Sequence, residues 1–282
     1  MKLVRFGSEG QERPGLMDPQ GRLRDLSAKV PDIDRATLSP AGLAMLRALA
    51  VAELPLVPGQ PRLGVPLTGI SKMICVGLNY RDHAAEAGMP IPLEPILFLK
   101  AVSAITGPTD PVIIPIGSVK TDWEVELGIV MGSVARHVPV QTGLDYVAGF
   151  CALNDISERE FQLERGGQWD KGKGCDSFGP IGPWLATRDE IPDPQGLALQ
   201  LEVNGQIMQR GNTRTMIFGC AELVSYISRF MTLLPGDVIA TGTPPGVGLG
   251  MKPPCYLKAG DRMRLAIEGL GVQEQQVVAA RS

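Results

Sequence analysis

Glu124 and Glu126 stand two residues apart in Thr121-Asp122-Trp123-Glu124-Val125-Glu126-Leu127-Gly128-Ile129-Val130-Met131. This segment reads as a strand, with β-branched and apolar residues running to Met131. Side chains alternate along a strand, so the two acids share one face while Trp123, Val125 and Leu127 share the other. Two adjacent carboxylates repel unless something positive lies between them, and a hard divalent cation with oxygen ligands meets that need. Asp155 ends a second apolar strand, Tyr146-Val147-Ala148-Gly149-Phe150-Cys151-Ala152-Leu153-Asn154-Asp155, and offers a third oxygen. The competing reading is a solvated acidic strand face.

A general base is offered by Asn79-Tyr80-Arg81-Asp82-His83-Ala84-Ala85-Glu86-Ala87-Gly88. The pattern predicts a strand end followed by a short helix, with Asn79 or Asp82 as its cap and Gly88 at its C-terminal end. His83 and Glu86 then lie on one helical face. A carboxylate beside an imidazole fixes its tautomer and raises its basicity, which suits deprotonation of water. A surface ion pair is the plainer alternative. His137, the second of the two histidines, falls in a loop pattern and is the weaker candidate.

Lys173 lies in Gly167-Gln168-Trp169-Asp170-Lys171-Gly172-Lys173-Gly174, close to a phosphate-binding loop. The final position is Gly174 where a hydroxyl is needed, and no buried apolar strand precedes it, so a nucleotide loop is excluded. Lys173 suits an anionic substrate carboxylate or enolate, or is a solvated loop charge. Thr241-Gly242-Thr243-Pro244-Pro245-Gly246-Val247-Gly248-Leu249-Gly250 follows a strand pattern. It offers backbone N–H groups and the Thr243 hydroxyl to an oxyanion, or serves as a structural turn.

The elements that must position these groups are mostly strands. Gly 34 and Pro 24 among 282 residues favour short strands and turns, and 44% hydrophobic content supports a substantial core. Strands are expected at 73–78, 96–100, 112–115, 123–131, 146–154, 199–203, 237–240 and 262–268. Asn204-Gly205 predicts a hairpin turn. Helices are expected at 40–53 and at 219–233, where Leu223, Tyr226, Ile227 and Phe230 follow helical spacing and Pro235-Gly236 supplies the stop. The stretch 154–183 lacks periodicity and reads as a long functional loop. Residues 1–68 read as a small N-terminal α+β domain, joined by a Pro-rich stretch to a main body at 69–282. A net charge of −3 gives no basic surface for nucleic acid. No apolar run reaches a membrane span. Cys75, Cys151, Cys175, Cys220 and Cys255 form no C-x-x-C pair. They suggest reduced, mostly buried thiols in a cytoplasmic protein, with a nucleophilic cysteine as the lesser reading.

In order along the chain, these segments resemble the fumarylacetoacetate hydrolase family, in its bacterial small-molecule branch. The carrying residues are Val76-Gly77-Leu78-Asn79-Tyr80-x-x-His83-x-x-Glu86, Pro95-x-x-Phe98-x-Lys100 and Asp122-Trp123-Glu124-Val125-Glu126-Leu127. They continue as Gly149-x-x-x-x-Asn154-Asp155-x-x-x-Arg159, Gly172-Lys173-x-x-Asp176-x-Phe178-Gly179-Pro180 and Thr241-Gly242-Thr243-Pro244-x-Gly246-Val247-Gly248. The resemblance covers residues 70–280.

It implies a mixed α/β, mainly β fold of the β-roll type. It implies Mg²⁺ or Mn²⁺ held by Glu124, Glu126 and Asp155, a His83–Glu86 dyad on a lid helix, and Lys173 as a catalytic charge. Substrate contacts are implied for Tyr80, Arg81, Gln162, Lys173, Gly242 and Thr243, and a homodimer or larger homo-oligomer for the assembly. The implied substrates are small 2-oxo or 2,4-dioxo acids. Gly166-Gly167-Gln168-Trp169-Asp170-Lys171 and Met251-Lys252-Pro253-Pro254 resemble the group acting on 2,4-didehydro-3-deoxy-L-rhamnonate, which would give pyruvate and lactate. Oxaloacetate decarboxylase, ureidoglycolate lyase and 2-hydroxyhepta-2,4-diene-1,7-dioate isomerase chemistries share the same fold, as would a non-catalytic acid-binding module.

Overall fold

A computed structural model describes residues 1–281 of the protein. Among the described residues, a nine-stranded sheet runs Leu23–Asp25, Arg13–Met17, Lys2–Phe6, Leu185–Thr187, Val147–Asn154, Val125–Met131, Val238–Ala240, Met73–Gly77, Ile96–Lys100. A five-stranded sheet runs Gln206–Asn212, Ala198–Val203, Arg262–Ile267, Gly271–Ala279, Val112–Ile114. Helices are short, so the fold is mixed and mainly β.

Val125–Met131 and Val147–Asn154 are buried along their whole length, as near-continuous apolar runs require at the centre of a sheet. Val125, Leu127, Ile129 and Met131 pack into one core, shared with the second sheet and the helix Cys220–Ile227. Val130 faces the opposite core, where Leu26, Ile33, Leu38 and Leu46 of the N-terminal stretch also pack. Residues 1–68 thus extend the central sheet and share a core with it.

Several elements differ in extent from the sequence reading. The helix expected at 40–53 is Pro40–Arg47, with Ser39 accepting the Gly42 N–H at 3.1 Å, followed by a separate 3-10 turn at Val51–Glu53. The helix expected at 219–233 stops at Ile227. Ser228 ends it by accepting the Val138 N–H and donating to the Ser225 carbonyl, and Leu233 then pairs with Ala135. Phe230 keeps the helical spacing in sequence but is exposed.

The stretch 154–183 is not an open loop. It carries the short helices Arg159–Leu163 and Asp170–Lys173, the first capped by the Glu158 carboxylate on the Phe161 N–H at 2.6 Å. Asn204 and Gly205 both have positive φ and close the hairpin between Ala198–Val203 and Gln206–Asn212. Cys75, Cys151 and Cys220 are buried, Cys175 is half-buried and Cys255 is exposed. No helix among the described residues is long and apolar enough to cross a membrane.

Candidate metal centre and active site

Glu126 lies on the central strand Val125–Met131, opposite Leu153 of Val147–Asn154. Glu124 sits just before that strand, in a break after the short strand Thr121–Asp122. The expected strand at 123–131 therefore begins two residues late. At the break, side chains replace the ladder: the Glu124 N–H donates to Asn154 Oδ1 at 3.1 Å and Trp123 N–H to Asp122 Oδ1 at 2.8 Å. The Asp155 N–H returns to the Glu124 carbonyl at 2.9 Å, which brings the third acid alongside. Glu124, Glu126 and Asp155 are all buried, and each offers a ligand oxygen within 4.8 Å of the others. Trp123, Val125 and Leu127 pack in the core on the other side, as alternation requires.

Three cations meet the acids. Lys173 Nζ bridges Glu124 Oε2 at 2.7 Å and Asp155 Oδ2 at 2.8 Å. Arg159 bridges Glu124 Oε1 at 2.7 Å and Asp122 Oδ2 at 2.8 Å. Lys100 donates to Asp155 Oδ1 and to the Ile156 carbonyl. With Asp122, four carboxylates face three cations, so with every acid ionised the cluster would carry one net negative charge.

Among the described residues, the acid left without a cation is Glu126, and its charged form is the one disfavoured. Burial raises the Glu124 pKa, but Lys173 and Arg159 outweigh it and hold the carboxyl down at about 2. Burial and repulsion from Asp155 and Glu124 push the Glu126 carboxyl well above the usual range. Its partner among the described residues is the Gly242 N–H at 2.8 Å, and it makes no ion pair. Burial would lower the Lys173 pKa, but Asp155 and Glu124 raise it and keep the ammonium charged. Three clustered carboxylates, one without a cationic partner, fit Mg²⁺ or Mn²⁺ as a hard-oxygen donor set.

Lys173 closes the helix Asp170–Lys173 and is 2% exposed. It is neither in a loop nor a solvated charge: it sits among the metal-ligand candidates, with the Phe98 ring 5.1 Å away. Gly172 makes this possible, since a Cβ there would lie 2.3 Å from the Glu158 carbonyl oxygen. The short helix can therefore press against Arg159–Leu163.

His83 and Glu86 lie on the helix Arg81–Glu86, with His83 Nδ1 3.0 Å from Glu86 Oε2. Glu86 also accepts the Gly246 N–H at 3.0 Å. Neither Asn79 nor Asp82 caps the helix, which starts after Tyr80 without a side-chain cap. Asn79 is drawn off instead to Phe218, accepting its N–H at 2.9 Å, and to the Thr241 carbonyl at 2.7 Å. It thereby ties the helix root to the glycine-rich loop. Asp82 accepts its neighbour His83 N–H at 3.1 Å.

The residues implied as substrate contacts divide by placement. Tyr80 is fully buried, its hydroxyl has no hydrogen-bond partner among the described residues, and burial together with the Glu126 carboxylate pushes the phenol pKa up. Arg81 is exposed on the helix surface. Gln162 is buried behind Arg159, accepting from its guanidinium at 3.0 Å. Gly242 spends its N–H on Glu126. The Thr243 hydroxyl donates to the Val125 carbonyl at 2.9 Å, so its single proton is engaged within the protein.

The sequence reading gave Lys100, Asp122 and Arg159 no role. A charged residue ending the otherwise apolar strand Ile96–Lys100 was the available signal for Lys100. Asp122 also accepts the N–H groups of Gly248 at 2.7 Å and Leu249 at 3.0 Å.

Comparison with known proteins agrees with this arrangement. Residues 72–278 match the model of the fumarylacetoacetate (FAA) hydrolase C-terminal domain. A Burkholderia multivorans relative whose name gives only the class hydrolase is 64% identical over the full length of both chains. The fumarylacetoacetate hydrolase of Exiguobacterium antarcticum is 36% identical with a TM-score of 0.86, over 99% of this chain and 100% of that one. Maleylpyruvate hydrolase from Sphingobium sp. SYK-6, solved with manganese(II) and pyruvate, is 31% identical with a TM-score of 0.83 over both whole chains. The 2-hydroxyhepta-2,4-diene-1,7-dioate isomerase of Mycobacterium marinum is 32% identical with a TM-score of 0.77, again over both whole chains. Hydrolases and isomerases thus share the fold, and this chain belongs to the fumarylacetoacetate hydrolase family.

Proposed function

We propose that the protein is a divalent-metal-dependent hydrolase that cleaves the C–C bond of a 2,4-dioxo acid of the acylpyruvate type. The observation that carries this reading is the pairing of a buried Glu124–Glu126–Asp155 cluster with a separate His83–Glu86 dyad. Support also comes from the solved maleylpyruvate hydrolase, whose crystal holds manganese(II) and pyruvate. Glu124, Glu126 and Asp155 would hold Mg²⁺ or Mn²⁺. A bound divalent cation would supply Lewis-acid polarisation of a 2-oxo acid and, with all four acids ionised, leave one net positive charge, which suits a carboxylate substrate.

The dyad's task is water activation. Glu86 holds the His83 ring through Nδ1, leaving Nε2 to take a proton from water. Hydroxide adds to the C4 carbonyl, and the C3–C4 bond breaks with its electron pair moving to C3. The acyl part leaves as a carboxylic acid and the remainder as pyruvate enolate. The proton on His83 returns to C3, so one water is consumed and pyruvate is released. The Lys173 ammonium offers positive charge to the enolate as it forms. The resemblance of residues 166–171 and 251–254 to the group acting on 2,4-didehydro-3-deoxy-L-rhamnonate supports a 3-deoxy sugar-acid skeleton as the substrate.

The test is pyruvate release from a panel of acylpyruvates and 2,4-dioxo-3-deoxy sugar acids. Activity should appear with Mg²⁺ or Mn²⁺ and vanish with EDTA. Full activity in EDTA-treated protein would refute the reading.

A further inference from the structure

Gln209 is the buried residue of an otherwise exposed strand. In Gln206–Asn212 every other residue is half-buried or exposed, while Gln209 is fully buried. A polar side chain at the one inward position of a strand needs a reason, because burying an amide unpaired is costly. Here each polar atom is used. Oε1 accepts the Val125 N–H at 2.9 Å. Nε2 donates to Thr243 Oγ1 at 2.8 Å and to the Pro244 carbonyl at 2.8 Å. Thr243 Oγ1 in turn donates to the Val125 carbonyl at 2.9 Å. Gln209 and Thr243 therefore hold both sides of the residue that separates Glu124 from Glu126.

The strand is shaped for this. Leu201 pairs with Gln209 but Glu202 pairs with Ile207, so Met208 is bulged out of the ladder. Bulges beside active sites re-aim a side chain, and this one turns Gln209 away from the exposed face. The loop that carries Thr243 lies flush on the bulge. A Cβ on Gly246 would meet the Met208 carbonyl oxygen at 2.0 Å, and one on Gly211 would meet Pro244 Cβ at 2.4 Å. The backbone at Trp123-Glu124 has left regular pairing just before Val125, so its geometry depends on such side-chain bonds.

We infer that Gln209 is a positioning residue for the metal centre, fixing the Val125 peptide and thereby the placement of the Glu124 and Glu126 carboxylates. This rests on Glu124, Glu126 and Asp155 being metal ligands, and is independent of the substrate. Partners that orient metal ligands typically carry about 10–100-fold in metal affinity.

The experiment is Mn²⁺ titration of metal-free protein, followed by the loss of the free-ion electron paramagnetic resonance signal, with no substrate present. Gln209→Met keeps the volume and removes all three bonds. It should weaken Mn²⁺ binding at least tenfold while the circular dichroism spectrum matches wild type. Gln206→Met, on the exposed part of the same strand, should bind as wild type does. Thr243→Val should reproduce the loss and Thr243→Ser, which keeps the hydroxyl, should restore affinity. These two decide the matter if Gln209→Met does not fold. Wild-type affinity in folded Gln209→Met, or in Thr243→Val, would overturn the inference. A wild-type protein that binds Mn²⁺ but releases no pyruvate would instead count against the hydrolase reading alone.

Discussion

The Glu86 carboxylate accepts the backbone N–H of Gly246 at 3.0 Å, so the proposed water-activating dyad is fastened to the loop that also holds Glu126 through Gly242. The metal-ligand face and the dyad thus meet on one stretch of chain, residues 241–250. Asp122 secures that stretch again at Gly248 and Leu249. This link predicts separable effects of mutation on binding and on chemistry.

His83→Ala should lower turnover of an acylpyruvate by about 10²–10⁴-fold, the usual worth of a positioned general base. Mn²⁺ affinity should stay at the wild-type value, since His83 makes no contact with the acid cluster among the described residues. Decarboxylation of oxaloacetate needs no hydroxide, so any such activity should survive. Pyruvate-coupled assays on both substrates check this. Equal loss of both activities would show that His83 does more than activate water.

Lys173→Met should destabilise the metal-free protein by about 3 kcal/mol or more, because Glu124 and Asp155 lose the ammonium between them while staying buried. Added Mn²⁺ restores positive charge at the same acids. The variant's thermal midpoint should therefore rise more on adding Mn²⁺ than the wild-type midpoint does. Thermal unfolding with EDTA and with excess Mn²⁺ reads both numbers. An equal rise in the two proteins would mean that Lys173 does not neutralise the ligands.

The acid trio was legible because its signal is local: two carboxylates at strand spacing and a third at the end of an apolar run. The dyad was legible for the same reason, from helical spacing. What surrounds them was not. Lys100 meets Asp155 across 55 positions, and Gln209 meets Val125 across 84. No periodicity encodes contacts at such separations, and a bulge at Met208 defeats simple alternation. The helix expected to reach 233 illustrates the converse. Its apolar spacing continues to Phe230, but Ser228 captures the backbone and ends it at Ile227.

Acid stability should depend on Asp18 at the edge of the central sheet. Burial raises its pKa, but the Arg22 N–H and the Arg24 and Arg22 guanidinium groups outweigh this and hold it at about 2. A carboxyl lowered on folding stabilises the protein above its unfolded value near 4, and that contribution is lost as pH falls towards 2. Asp18→Asn should therefore be less stable than wild type at pH 6. The gap should close between about pH 4 and pH 2. Urea midpoints at a series of pH values check the sign. A gap that widens on acidification would contradict it.

The final prediction separates two acids that look alike in sequence. Glu124 is paired with Lys173 and Arg159, whereas Glu126 has a backbone N–H and no ion pair among the described residues. Glu124→Gln removes one of the two carboxylates that Lys173 and Arg159 each bridge, and should cost about 3 kcal/mol in metal-free protein. Glu126→Gln replaces a carboxyl whose charged form is disfavoured and keeps an acceptor for the Gly242 N–H. In EDTA it should be at least as stable as wild type. Both variants should lose Mn²⁺ binding, since each deletes a charged oxygen ligand. Opposite effects on stability with the same effect on binding would mark Glu126 as the ligand whose charge is present for the metal. Urea denaturation in EDTA beside Mn²⁺ titration measures the two effects. If Glu126→Gln is destabilised as much as Glu124→Gln, the charge imbalance does not lie at Glu126.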